Sequence, residues 1–193
     1  MIGAMIGVLA LQGAFREHRQ AFERLGVVVR EVRLPEHLNG LSGVVIPGGE
    51  STTMAKLMNA YGLDAALPEF YEQGGAVWGT CAGAIAIASD IAGHPDQPRL
   101  GLMATTLERN AYGRQVDSFE ADVAVKGLDE PFHTVFIRAP RITGVGPEVE
   151  VLASLEGDPI MVRQGRLMAT VFHPELAGDD RVHQFFLDEI VPS

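Results

Sequence analysis

Residues 76–89 read Ala76-Val77-Trp78-Gly79-Thr80-Cys81-Ala82-Gly83-Ala84-Ile85-Ala86-Ile87-Ala88-Ser89. Residues 76–79 form a short run that reads as a buried strand, and 82–89 is an Ala/Ile stretch that predicts a helix. Little chain separates the two, so it must turn sharply around Cys81. Gly79 and Gly83 permit the close approach and strained dihedrals that such a turn demands. A tight strand-to-helix turn, with small residues on both sides and a reactive side chain at its tip, is the arrangement of a nucleophile elbow. The helix N-terminus supplies backbone N–H groups and a positive dipole end, both favouring a thiolate and a developing oxyanion. The competing reading of Cys81 is a small buried apolar residue, which is common for a free cysteine.

Upstream of this stretch, strand and helix alternate. Residues 6–11 (IGVLAL) are a continuous apolar run, as for a strand covered on both faces. Residues 14–25 place Phe15, Phe22 and Leu25 among charges and stop at Gly26, predicting a helix. A β-branched strand follows at 27–32, then a short apolar one at 43–46 that ends in Pro47-Gly48-Gly49. Ser51 is expected to cap a helix over 52–61, and 63–73 reads as another, with a break or kink at Pro68. Downstream, 119–125, 132–137 and 149–155 are strand-like, and 160–163 with 166–172 flank a hairpin turn at Gln164-Gly165. Residues 181–190 close as an amphipathic helix. The expectation is an α/β fold: a mostly parallel central sheet flanked by helices, with an additional β-rich C-terminal half and hairpin. The whole chain, 1–193, reads as a single domain; the alternative is a separate β-rich half.

Composition narrows the function classes. The 193 residues carry 15 basic and 25 acidic side chains, a formal charge of −10, and 47% are hydrophobic. That balance argues against nucleic acid or anionic lipid meeting the bulk surface. One cysteine excludes an internal disulfide and Cys-rich zinc sites, so if it matters it does so as a thiol. Residues 1–15 lack charge, but no basic residue precedes the run, and 73–89 is too short and glycine-broken to span a membrane. A cytoplasmic protein is expected, with Met5 an alternative start. No metal-ligand spacing such as HExxH and no cofactor fingerprint occurs.

A thiol nucleophile needs a base, and the base needs an orienting group. His173, in Val171-Phe172-His173-Pro174-Glu175, ends a predicted strand. Residues i and i+2 of a strand share a face, roughly 6.6 Å apart, so Glu175 would reach the His173 ring and fix its tautomer. The competing reading is a surface His-Pro-Glu turn. His18, His37, His94, His133 and His183 lack such company and read as surface or locally satisfied. Pro47-Gly48-Gly49-Glu50-Ser51 follows a parallel strand, so its backbone N–H groups can face a ligand beside the elbow. An oxyanion donor fits better than a phosphate cradle, because no P-loop lysine is present; a bare turn stays open.

Together these pieces resemble the class I, or triad, glutamine amidotransferases. The resemblance narrows to the glutaminase subunits of pyridoxal 5′-phosphate synthase. It rests on residues 7–13 (GVLALQG), 47–53 (PGGESTT), 79–83 (GTCAG), 109–120 (RNAYGRQVDSFE) and 172–176 (FHPEL). It implies Cys81 as nucleophile, His173 as base and acid, and Glu175 as its orienting group. It also implies a glutamine site at Gly49, Glu50, Ser51, Arg109, Ile137 and Arg138, with the Gly49 and Ala82 N–H groups as oxyanion hole. Arg109 and Arg138 are cations able to hold a substrate carboxylate. No cofactor is implied; the partner implied is the ribose-phosphate-using synthase subunit, which receives the ammonia. Rival readings are a glutaminase serving another synthase, a non-catalytic module on the same scaffold, and a cysteine hydrolase. The chain departs from common family residues at His37, Arg99 and Ala104.

Overall fold

The structure is a computed structural model that describes residues 4–109 and 118–192. In chain order its elements are β1 (Met5–Leu9), α1 (Phe15–Arg24), β2 (Val28–Val32), β3 (Gly43–Ile46), α2 (Ser51–Ala60), α3 (Leu63–Glu72), β4 (Ala76–Thr80) and α4 (Ala82–Ile87). Then come β5 (Ala88–Ile91), β6 (Met103–Glu108), β7 (Ser118–Val123), β8 (Phe132–Ile137), β9 (Arg141–Val145), β10 (Glu150–Leu155), β11 (Asp158–Gln164) and β12 (Leu167–Thr170). Helix α5 (Arg181–Phe185) runs on into a wider π turn, Phe186–Ile190.

Among the described residues, the central sheet runs β10-β11-β12-β4-β3-β1-β2. Pairing is parallel from β2 to β12 and antiparallel across β12, β11 and β10. This is the α/β architecture the sequence predicts, and the C-terminal strands extend the sheet begun by the N-terminal ones. Smaller sheets, β5-β6-β9 and β7-β8, form ladders of their own beside it. Chain order reverses at β1, which has β2 on one side and β3 on the other. The crevice beyond the C-terminal ends of β1 and β3 is therefore a topological switch point, where open α/β sheets bind ligands.

Strands β3 and β4 are buried along their whole length, which is why they read as unbroken apolar runs. Phe22 of α1 and Phe186 pack on Trp78 of β4, with ring centroids 6.5 and 5.3 Å apart. All three side chains are fully buried, and this aromatic layer seats α1 and the C-terminal helix on one face of the sheet.

Three local expectations are corrected and one is narrowed. The helix predicted over 82–89 stops at Ile87, and Ala88 starts β5. The Ala86 and Ile87 carbonyls, orphaned at that helix end, accept from Leu100 N (2.7 Å) and Leu102 N (2.9 Å), so a distant segment outweighs helix propensity. The cap of α2 is Glu50 rather than Ser51: its carboxylate accepts from Thr52 N at 3.0 Å and Thr53 N at 2.7 Å. Pro68 sits inside a continuous α3, so of the expected break or kink the break does not occur. The hairpin turn lies one residue later than predicted, at Gly165-Arg166, because Gln164 pairs with Leu167 and Gly165 takes the positive φ. Strands β5, β6 and β9 were not predicted.

Candidate active site

Strand β4 delivers Cys81 to the crevice. Its backbone N–H donates to the Thr170 carbonyl at 2.8 Å, and its own carbonyl accepts from Ile85 N at 3.2 Å, opening α4. Between these bonds Cys81 is held at φ 50°, ψ −104°, a region that non-glycine residues avoid. The flanking glycines are needed for approach: a Cβ on Gly83 would collide with the Ile46 carbonyl, and one on Gly79 with the Gly83 carbonyl. The sequence GTCAG thus folds as the predicted elbow, its thiol almost wholly buried beside the cavity.

His173 follows β12 and is anchored sideways, its N–H donating to the Val135 carbonyl of β8 at 2.8 Å. Its Nδ1 lies 2.7 Å from Glu175 Oε1. The pairing holds as expected, but the predicted strand alternation is wrong. Glu175 lies in a 3-10 turn, Pro174–Leu176, that folds its carboxylate back under the ring. Burial opposes charge on His173, yet hydrogen bonds with Cys81 and Glu175 and their charges outweigh it, and the pKa is pushed up to about 10. Burial likewise acts against charge on Glu175. The His18 and His173 rings and the hydrogen bond from His173 outweigh it, holding its carboxyl below the usual range.

A cavity of about 240 Å³ opens on Cys81 and His173 and is lined also by Gly49, Glu50, Ser51, Ala82, Arg109, Ile137 and Arg138. Every predicted site residue therefore lines one space, apart from Glu175, which stands behind His173. Of the 109–120 motif, residues 110–117 lie outside the described residues. Arg109 directly follows β6, donates to Gln97 Oε1 at 2.7 Å and lies 3.7 Å from the Glu50 carboxylate. Hydrogen bonds, foremost from the Thr52 hydroxyl, hold the Glu50 carboxyl down at about 2. Arg138 occupies a positive φ of 43° at the cavity edge. Gln12 pins the Gly49-Glu50 turn from the loop after β1: its Oε1 accepts from Glu50 N at 3.2 Å and its Nε2 donates to the Glu50 carbonyl at 3.4 Å. Among the described residues, no group of three or more His, Cys, Asp or Glu is arranged to hold a metal ion, and no helix is long and apolar enough to cross a membrane.

Sequence reasoning missed His18 and His183. Of the expected alternatives, surface or locally satisfied, the second holds: both are fully buried and meet behind the Cys81–His173 pair, with His18 Nδ1 2.9 Å from His183 Nε2. His18 Nε2 lies 3.3 Å from Glu175 Oε2. A signal existed in α1, since His18 stands three residues after Phe15 and four before Phe22, on the inward stripe of the helix. Gln12 and Gln97 were missed as well, being polar residues in loops with no pattern of their own.

Residues 8–192 match the model of the SNO glutamine amidotransferase family. The chain belongs to that family. Similar to it are pyridoxal 5′-phosphate synthase subunit PdxT of Deinococcus radiodurans, 58% identical over 94% of this chain and 95% of that one, and PdxT of Thermus thermophilus, 54% identical over 95% and 96%. A crystal structure of a glutamine amidotransferase superposes with a TM-score of 0.92 at 54% identity, covering 95% of this chain and 97% of the other. PurLQS from Thermotoga maritima, 18% identical over 97% and 99%, has a TM-score of 0.72 and shares the fold.

Proposed function

We propose that this chain, acting as one domain, is a glutaminase that hydrolyses L-glutamine to L-glutamate and ammonia for a ribose-phosphate-using synthase subunit making pyridoxal 5′-phosphate. One observation carries the reading: Cys81 and the Glu175-backed His173 open into the same cavity as two arginines. A thiol, an oriented imidazole and cations suited to a carboxylate are what an amino-acid amide hydrolase requires. The names of the similar proteins support the synthase assignment.

In this mechanism Arg109 and Arg138 hold the glutamine carboxylate, with Gly49, Glu50, Ser51 and Ile137 shaping the pocket. The Cys81 thiolate attacks the side-chain carboxamide carbon, and the developing oxyanion is held by the Gly49 and Ala82 N–H groups. His173 gives its proton to the departing nitrogen, ammonia leaves, and a γ-glutamyl thioester remains on Cys81. Neutral His173 then takes a proton from water, whose oxygen attacks the thioester and releases glutamate and the thiolate. Glu175 keeps the ring in the tautomer both steps need.

The test is ammonia release from glutamine by the assembled complex, with and without the synthase subunit. Turnover is expected with the partner and is abolished in Cys81→Ala; normal turnover in that variant would remove Cys81 from the mechanism.

A further inference from the structure

Glu175 has two carboxylate oxygens, and the triad uses one. The other, Oε2, is buried without a well-aligned hydrogen bond among the described residues, as is Nδ1 of His183. His18 Nε2 stands 3.3 Å from Glu175 Oε2 and 3.2 Å from Thr80 Oγ1, and its Nδ1 stands 2.9 Å from His183 Nε2. The side chains of His18 and Glu175 are both wholly buried.

The arrangement selects a tautomer. If the His18 proton sat on Nδ1, His183 Nε2 would have to accept it, leaving the His183 proton on Nδ1 as a buried donor without a partner. The bare His18 Nε2 would then face a carboxylate oxygen lone pair to lone pair. With the proton on His18 Nε2, the N–H is directed at Thr80 Oγ1, 3.2 Å away, with Glu175 Oε2 3.3 Å from the same nitrogen but off the hydrogen-bond axis, and His183 Nε2–H donates to His18 Nδ1. On His183 an acceptor lone pair is then left over instead of a buried N–H donor, and orphaned buried N–H groups are the rarer of the two. Around His18 stand Glu175, His173 and His183, with Glu17 on its own helix. Burial is the largest influence on both His18 and His183 and disfavours charge on either ring.

We propose that His18 is a positioning residue for the hydrolysis. As a neutral ring protonated at Nε2, it holds the positive end of its N–H dipole 3.3 Å from the second oxygen of Glu175 and so fixes the carboxylate plane that aims His173 at Cys81. The proposal rests on the glutaminase reading and adds a fourth residue behind the triad, supplied by α1 and buttressed by His183. Among the described residues, its hydrogen-bond, ion-pair and ring partners Thr80, His183, Glu175 and Trp78 all lie off the cavity wall, so its loss should appear in kcat and not in KM.

Three measurements decide it. In the full chain labelled with ¹⁵N-histidine, long-range proton–nitrogen spectra are expected to show a proton on His18 Nε2; an unprotonated Nε2 overturns the proposal without any variant. In the assembled complex, His18→Leu should lower kcat by about tenfold to a hundredfold, the cost of a slightly misaimed group, with KM within about twofold. His18→Gln, which can place an N–H near Nε2, should recover most of that loss. Equal losses in folded His18→Leu and His18→Gln, or a folded His18→Leu at wild-type kcat, overturn it. Iodoacetamide alkylation of Cys81 near neutral pH should be slower in His18→Leu and restored in His18→Gln; an unchanged rate counts against the proposal. If the unaltered complex releases no ammonia, the glutaminase reading falls, while the proton position and alkylation rates still judge His18.

Discussion

Glu175→Gln is the sharpest perturbation of the proposed mechanism, because it changes charge and not shape. The carboxylate is completely buried and lies 2.7 Å from His173 Nδ1. A hydrogen bond between charged groups contributes about 1.5–3 kcal/mol, and one pKa unit corresponds to about 1.36 kcal/mol. The His173 pKa, pushed up to about 10 in the intact site, should therefore fall by roughly one to two units in the variant. The geometry adds a second penalty. The His18 N–H would take the amide oxygen, turning the amide nitrogen toward His173 and forcing its proton onto Nε2, the nitrogen that must accept one from water. Loss of the orienting carboxylate in a related triad lowers kcat by about 10⁴, so a fall of roughly 10² to 10⁴ is expected. The assay is glutamine hydrolysis by the complex, paired with iodoacetamide alkylation of Cys81 from pH 5 to 9. Alkylation on the acid side should be slower in the variant, because the imidazolium beside the thiol is less stabilised. A variant that folds, keeps kcat within about threefold of wild type and alkylates with an unchanged pH profile would refute the role given to Glu175.

Gly83→Ala should destabilise the chain by about 1–3 kcal/mol, since its methyl group meets the Ile46 carbonyl and the elbow cannot recede; an unchanged urea midpoint would contradict that packing. Arg109→Met should raise KM for glutamine by roughly tenfold to a hundredfold with a smaller change in kcat, as for a lost charge-assisted carboxylate contact; an unaltered KM removes Arg109 from substrate binding. The His173 pKa is raised on folding from 6.5 to about 10, so its contribution to stability is fully present below about pH 6.5 and lost as pH rises through about 10. Thermal melts should therefore show Tm declining between those limits, less steeply in Cys81→Ser; equal slopes in the two proteins would show that the Cys81–His173 pair is not responsible.

What the sequence disclosed and what it concealed divide by the range of the interaction. The elbow was legible because its constraints are local: a buried strand, two glycines and a nucleophile within five residues impose one turn. The β3 and β4 strands were legible because burial on both faces leaves no polar alternation. Residues 82–89 misled because the signal that ends α4 comes from Leu100 and Leu102, whose N–H groups capture the last carbonyls. Strand β6 alternates buried Met103, Thr105 and Leu107 with more exposed neighbours, a period-two pattern that went unread among Gly and Pro. Glu175 was assigned the right partner by the wrong geometry: a 3-10 turn returns the side chain as a strand would have, and spacing alone does not distinguish the two.

His18 shows why a site can be read and still be incomplete. Helical spacing marks His18 as inward-facing but says nothing of the polar group it meets, since Glu175 lies far along the chain. Sheet register makes the meeting unavoidable. Ile46 and Gly79 are opposite one another across β3 and β4, and Thr80 is opposite Thr170 across β4 and β12. The Gly48-Gly49 turn, Cys81 and His173 therefore leave three adjacent parallel strands at nearly the same level, with neighbouring strands roughly 4.8 Å apart. Gly48 abuts both His173 and Cys81 so closely that any side chain there would strike the imidazole. Helix α1 lies across the same sheet with its inner face on Trp78, and that face carries His18 to the far side of Glu175. A slip of one residue between β4 and β12 would turn every side chain of the shifted strand to the opposite face. It would part Cys81 from His173 and Glu175 from His18 together, so the register that assembles the triad also supplies its buttress.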